Sequence, residues 1–122
     1  MTDRTRQYIE MNGVAVGKNY IKCQPIVIER LLKRTGFTLE DIDLFVFHQA
    51  NLRLIELLMS KLKLPMAKTF TNVETYGNTS DASVGLALCE AVEANQICRG
   101  DRVLLSGVGA GLVFAACVLK WY

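Results

Sequence analysis

Residues 43–48 read DLFVFH, four consecutive apolar side chains that end on the only histidine of the chain. Successive side chains of a strand point to opposite faces, so a strand with one wet face alternates polar and apolar residues. An unbroken apolar run instead marks a strand covered on both faces, the setting of a parallel sheet. Parallel neighbours need a long crossover between them, usually a helix. This short stretch therefore asks for helices on both sides of a sheet, in a chain whose 51% hydrophobic and 21% charged residues suit a compact globular fold.

The flanking segments supply those helices. Between Asn12 and Arg34 the apolar residues Val16, Tyr20, Ile21, Cys23, Val27, Ile28, Leu31 and Leu32 recur at helical spacing until Gly36 stops them. Pro25 must kink this helix or begin a second one, because it lacks a backbone donor. Thr38 and Asp41 form a short capping-box pattern. After His48, a stripe of Leu52, Ile55, Leu58, Met59 and Leu62 opposes a wet face of Arg53, Glu56, Lys61 and Lys63. KTFTNV (68–73) alternates like a strand, YGNTSDAS (76–83) is made of turn residues, and Ser80 or Asp81 can cap a helix through VGLALCEAVEANQ. RGD (99–101) leads into RVLLSGV (102–108), and GAG (109–111) into LVFAACVLKW (112–121). Strands are thus expected at 43–48, 68–73, 102–108 and 112–121, in an α/β fold with a mixed sheet and a single domain over residues 1–122.

A net charge of +2, from 14 basic and 12 acidic side chains, lacks the basic excess of a nucleic-acid surface. No apolar run reaches the roughly 18 to 20 residues of a membrane span, and the opening MTDRTRQYIE is too polar for a signal peptide. A soluble cytoplasmic protein is expected, with neither nucleic acid nor membrane as partner. Cys23, Cys89, Cys98 and Cys117 show no C-x-x-C pairing, and one histidine cannot complete a zinc site with them. They read as reduced thiols, mostly packed as small apolar groups, with Cys98 the most exposed.

His48 stands where a buried strand runs out, and α/β sheets place ligands at the carboxyl ends of their strands. It reads equally well as a structural histidine bonded to a backbone carbonyl. Asn78, behind Gly77, has the ordinary reading of an Asx turn or a left-handed residue. Asn51 can be the cap of its helix, and the glycines of GVGAG can serve a tight connection between strands.

Taken in order, FHQANLR, NVETYGNTSDAS and GDRVLLSGVGAGLVFAACVLKW resemble the C-terminal half of the β-ketoacyl-acyl carrier protein synthase III family, condensing enzymes of the thiolase superfamily. The likeness runs from about Tyr8, through MNG at 11–13, to the end of the chain. It implies a thiolase-like half-domain whose first strand, central in the sheet, is missing here and leaves exposed edges. It also implies a decarboxylative Claisen condensation, in which an acyl group passes from coenzyme A to a cysteine and then to the carbanion left when a malonyl-carrier protein loses CO₂. In that scheme His48 and Asn78 donate hydrogen bonds to the malonyl thioester carbonyl. Asn51 approaches the pantetheine arm, and the backbone of the Gly109–Ala110–Gly111 turn, at Ala110, helps form an oxyanion hole.

Arg53, Lys18 and Lys61 resemble the basic positions that receive the acidic carrier protein; a solvated helix face is the alternative reading. Coenzyme A and phosphopantetheine thioesters would be substrates, no bound cofactor is implied, and the full-length family is expected to be homodimeric. The resemblance departs at Gly17 and Val108, where many relatives carry phenylalanine, which removes bulk near the expected acyl channel. No cysteine matches the family's nucleophile, which belongs to the N-terminal half at the start of a buried helix. The chain is therefore expected to be inactive without an N-terminal half that carries this cysteine. The alternatives are a non-catalytic subunit that docks carrier protein and, less favoured, an independent enzyme using one of the four thiols.

Overall fold

The structure is a computed structural model that describes residue 8 and residues 10–122. Most of the polar opening stretch read above lies outside the described residues. Helix α1 spans Gly13–Thr35; the Asn12 side chain accepts from the Ala15 N–H, and Gly36 closes the helix in a left-handed conformation with its N–H on the Leu32 carbonyl. Pro25 starts no second helix, since α1 runs through it. The residues that α1 buries are Tyr20, Gln24, Ile28 and Leu32, one turn apart each, so a glutamine takes a place in the apolar stripe. Gln24 donates from Nε2 to the Ser106 hydroxyl, which in turn donates to the Ala115 carbonyl at 3.0 Å.

Strand β1 (Leu44–Phe47) is buried along its whole length. Phe45 and Phe47 join Ile28, Leu32, Ile55, Leu58 and Met59 on one side of the sheet, while Leu44 and Val46 join Ala87, Ala91 and Ile97 on the other. The unbroken apolar run thus has the cause expected of it: helices cover both faces. On the first face lie α1 and α2 (Leu52–Leu62). A one-turn helix α3 (Val73–Tyr76) precedes α4 (Ala82–Glu93), which covers the second face. The sheet is completed by β2 (Arg102–Gly109), parallel to β1, and β3 (Val113–Lys120), antiparallel to β2.

Three expectations need correction. First, the sheet has no vacancy at its centre, because β1 pairs directly with β2 from Leu44↔Val103 to Phe47↔Ser106; the order is β1-β2-β3, with β3 at one edge and β1, bridged only at Phe45↔Thr69, at the other. Second, residues 68–73 form no strand. Met66–Lys68 is a 3₁₀ turn, a single parallel bridge joins Phe45 to Thr69, and the chain then enters α3. Side chains do the work of a ladder there: the Thr69 hydroxyl donates to the Phe45 carbonyl at 2.8 Å, and the Asn72 N–H donates to Gln49 Oε1 at 3.1 Å. Third, neither Ser80 nor Asp81 caps α4 through its side chain; the Ser83 N–H donates to the Ser80 backbone carbonyl instead.

The thiols also differ from expectation, since Cys89, Cys98 and Cys117 are all exposed and only Cys23 is half-buried. The uncovered outer faces of α4 and β3, where Leu86 and Val113 are also exposed, account for Cys89 and Cys117. The Thr38–Asp41 pattern holds, with the Thr38 N–H and hydroxyl both donating to Asp41 Oδ2.

Candidate active site

His48 directly continues β1, and its N–H still donates to the Ser106 carbonyl at 2.8 Å. The buried strand therefore fixes where the imidazole begins. Nδ1 lies 2.6 Å from Ser83 Oγ, in the first turn of α4, and the same hydroxyl oxygen accepts the Gln49 N–H at 3.1 Å. While accepting that N–H, the Ser83 hydroxyl can still give its own proton to Nδ1. The ring is then the tautomer that carries its proton on Nε2, a donor.

Burial lowers the His48 pKa from its ordinary value of 6.5, and this outweighs the Asp81 carboxylate and the Ser80 carbonyl, which both favour the charged ring. The folded chain thus favours neutral His48. A depressed folded value means that the associated stability is present above about pH 6.5 and is lost as pH falls through the lower folded value. Urea midpoints measured from pH ~7 to ~5 should fall in the native chain, and less so in His48→Gln.

Asn78 lies in the exposed turn between α3 and α4, where Gly77 and Ser80 both have positive φ. Its Oδ1 accepts the Ser80 N–H at 2.9 Å, the Asx turn of the ordinary reading. That bond also orients the carboxamide and leaves the NH₂ group for other partners. Ser80 and Asp81, both close enough to act on the His48 ring, belong to the same turn. The strand end and the turn are therefore neighbours, although 30 residues separate the two side chains in sequence.

Asn51 caps α2, with its Oδ1 accepting the Arg53 N–H at 2.9 Å. It also lines an open cleft of about 600 Å³ between α1 and α2, together with Gly17, Lys18, Arg53, Leu54 and Leu57. The cap and a binding role are thus compatible. Arg53 pairs with Glu56 at 3.0 Å on the exposed side. Lys61 also has a structural contact. Pro25 offers no N–H to the Ile21 carbonyl one turn earlier, and the Lys61 ammonium donates to that oxygen at 2.8 Å. The two glycine-region departures separate as well: Gly17 faces the cleft, whereas Val108 packs against the core beneath α1.

Gly109 ends β2, and Ala110 and Gly111 open the exposed β2–β3 connection. Gly111 has φ of +143°, and a Cβ there would meet Val113 Cγ2 at 2.9 Å, so the turn requires glycine. Sequence reasoning passed over Ser83, Gln49, Asn72, Tyr76 and Glu90, which surround His48 and the Asn78 turn with hydrogen bonds. The one available signal was a polar residue, Gln49, directly behind the buried apolar strand and its histidine.

A family model for the C-terminal part of 3-oxoacyl-[acyl-carrier-protein] synthase III matches residues 32–121. The chain belongs to this family. Among its synthase III relatives, that of Pyropia yezoensis is 47% identical over 113 residues, which are 93% of this chain and 35% of the relative. The solved synthase III of Thermus thermophilus superposes with a TM-score of 0.89 at 48% identity, covering 93% of this chain and 35% of that one. The synthase III of Pseudomonas aeruginosa gives a TM-score of 0.91 at 31% identity, covering 99% of this chain and 38% of that one. The chain has the thiolase-like mixed α/β fold of these synthases and spans about a third of the length of the relatives it matches.

Proposed function

We propose that this chain supplies the carbanion-stabilising part of a decarboxylative Claisen condensation between an acyl-CoA and a malonyl-acyl carrier protein, in fatty acid or related polyketide synthesis in the cytoplasm. The observation that carries the reading is His48, fixed at the end of a buried strand and held through Nδ1 by Ser83, with the Asn78 turn beside it. A neutral ring with its proton on Nε2 and a carboxamide NH₂ are both donors. Aimed at one thioester oxygen, they meet the negative charge that develops as CO₂ leaves.

The cleft between α1 and α2 takes the pantetheine arm along Asn51, and Lys18 and Arg53 at its rim receive the acidic carrier protein. With Gly17 in its wall, the cleft has room for a larger acyl group than a short starter. Ala110 presents its backbone N–H to the acyl-transfer intermediate. Among the described residues none of the four cysteines stands at the start of a helix that follows a strand. The nucleophile accordingly belongs to an N-terminal half of the synthase, and the complete enzyme is a homodimer.

Mixing the chain with the N-terminal portion of the synthase tests this. Acyl transfer from acyl-CoA to malonyl-carrier protein is expected from the mixture and from neither part alone. A mixture that binds carrier protein yet transfers nothing would identify the chain as a non-catalytic docking module instead.

A further inference from the structure

The segment that carries Asn78 has little of its own to hold it in place. Helix α3 is four residues long, far below the length at which a helix is stable by itself. Asn72 stands at its N-cap, where an asparagine side chain normally accepts from the first turn, but it makes no such bond. Its Nδ2 donates instead to Glu90 Oε2 on α4 at 2.8 Å. Tyr76, the last residue of α3, donates its hydroxyl to the other oxygen of the same carboxylate. Both ends of α3 therefore hang from one acidic side chain.

The near end has a second attachment. The Asn72 N–H donates to Gln49 Oε1, while Gln49 Nε2 donates to the Phe47 carbonyl at 2.8 Å and the Phe70 carbonyl at 3.3 Å. Gln49 is fully buried, follows His48, and places its own N–H on the Ser83 hydroxyl that touches the imidazole. A set of hydrogen bonds thus leads from His48 through Ser83, Gln49, Asn72 and Glu90 to Tyr76, which the peptide chain joins directly to Gly77 and Asn78.

We propose that Glu90, acting through Tyr76 and Asn72, is a positioning residue that sets the Asn78 turn against His48, with Gln49 as the link between the two sides. The proposal rests on the donor roles given above to His48 and Asn78. The ionisation behaviour agrees with it: hydrogen bonds from Tyr76 and Asn72 hold the Glu90 carboxyl below its usual range, and Glu90 pushes the Tyr76 phenol up. The carboxylate stays an acceptor and the phenol a donor at neutral pH.

Nuclear magnetic resonance of the 122-residue chain tests this without any thioester present. The Asn78 backbone order parameter should be near about 0.85 in the native chain and fall below about 0.6 in Tyr76→Phe and in Glu90→Ala. Glu90→Gln, which keeps an acceptor oxygen for Tyr76, should fall in between. The order of β1 and α4 should stay unchanged in all variants. A turn already mobile in the native chain, a rigid turn in every variant, or a loss of order spread evenly over α4 and the sheet would each overturn the proposal. Failure of the condensation reading shows instead in the mixing experiment and leaves this result standing.

Discussion

His48→Ala is expected to slow malonyl-thioester decarboxylation by the complete enzyme roughly 10²- to 10³-fold, the usual effect of removing one oxyanion donor. Asn78→Ala should do the same. Acyl transfer from acyl-CoA to the cysteine should continue at near its native rate, because that step builds charge on a different oxygen, which the proposed scheme assigns to the backbone of the β2–β3 turn. The two losses should not multiply in the double variant, since two donors that serve one oxygen, as proposed, act as a unit. Release of CO₂ from malonyl-carrier protein, measured beside self-acylation by labelled acyl-CoA, separates the two steps. Equal failure of both would mean that His48 and Asn78 have some other task, such as holding the chain's fold at the strand end.

The second large effect concerns stability. Phe47 is fully buried, its ring lies 6.0 Å from that of Phe45, and it directly precedes His48. Phe47→Ala should cost about 3–5 kcal/mol, the lost transfer of a phenyl ring plus the cavity left behind. Total stabilities of natural domains are about 5–15 kcal/mol, so a large share of the folded population is at stake. Urea titration followed by far-ultraviolet circular dichroism should show a much lower midpoint with little change in slope. A loss below about 1 kcal/mol would place the ring outside a packed core and remove the argument for a strand covered on both faces.

The strand at 44–47 was legible because burial on both faces leaves a mark in the sequence itself, a run with no polar interruption. The main helices were legible for a related reason: a stripe that repeats each turn needs only local counting. Residues 68–73 show the limit of such counting. Their apolar alternation suits a strand, but the Thr69 hydroxyl and the Gln49 carboxamide take the bonds that a ladder would make. Strand order was equally out of reach, because pairing of Leu44 with Val103 depends on residues far apart in the chain. Gln24 inside the core became intelligible only when Ser106 was seen opposite it. At the site, His48 stood out by its place at the end of the strand, and the motifs around it carried the family likeness. The bonds through Ser83, Asn72, Tyr76 and Glu90 have no periodic signature, since each joins two segments that meet only after folding.

The contact between Lys61 and the Ile21 carbonyl reaches beyond local geometry. A residue with an amide hydrogen in place of Pro25 would fill that carbonyl from within the helix and send the ammonium back to water. Loss of the lysine would leave the oxygen to water only in a background that keeps the proline. Substitutions at the two positions are therefore expected to be non-additive, the effect at either one depending on the residue at the other.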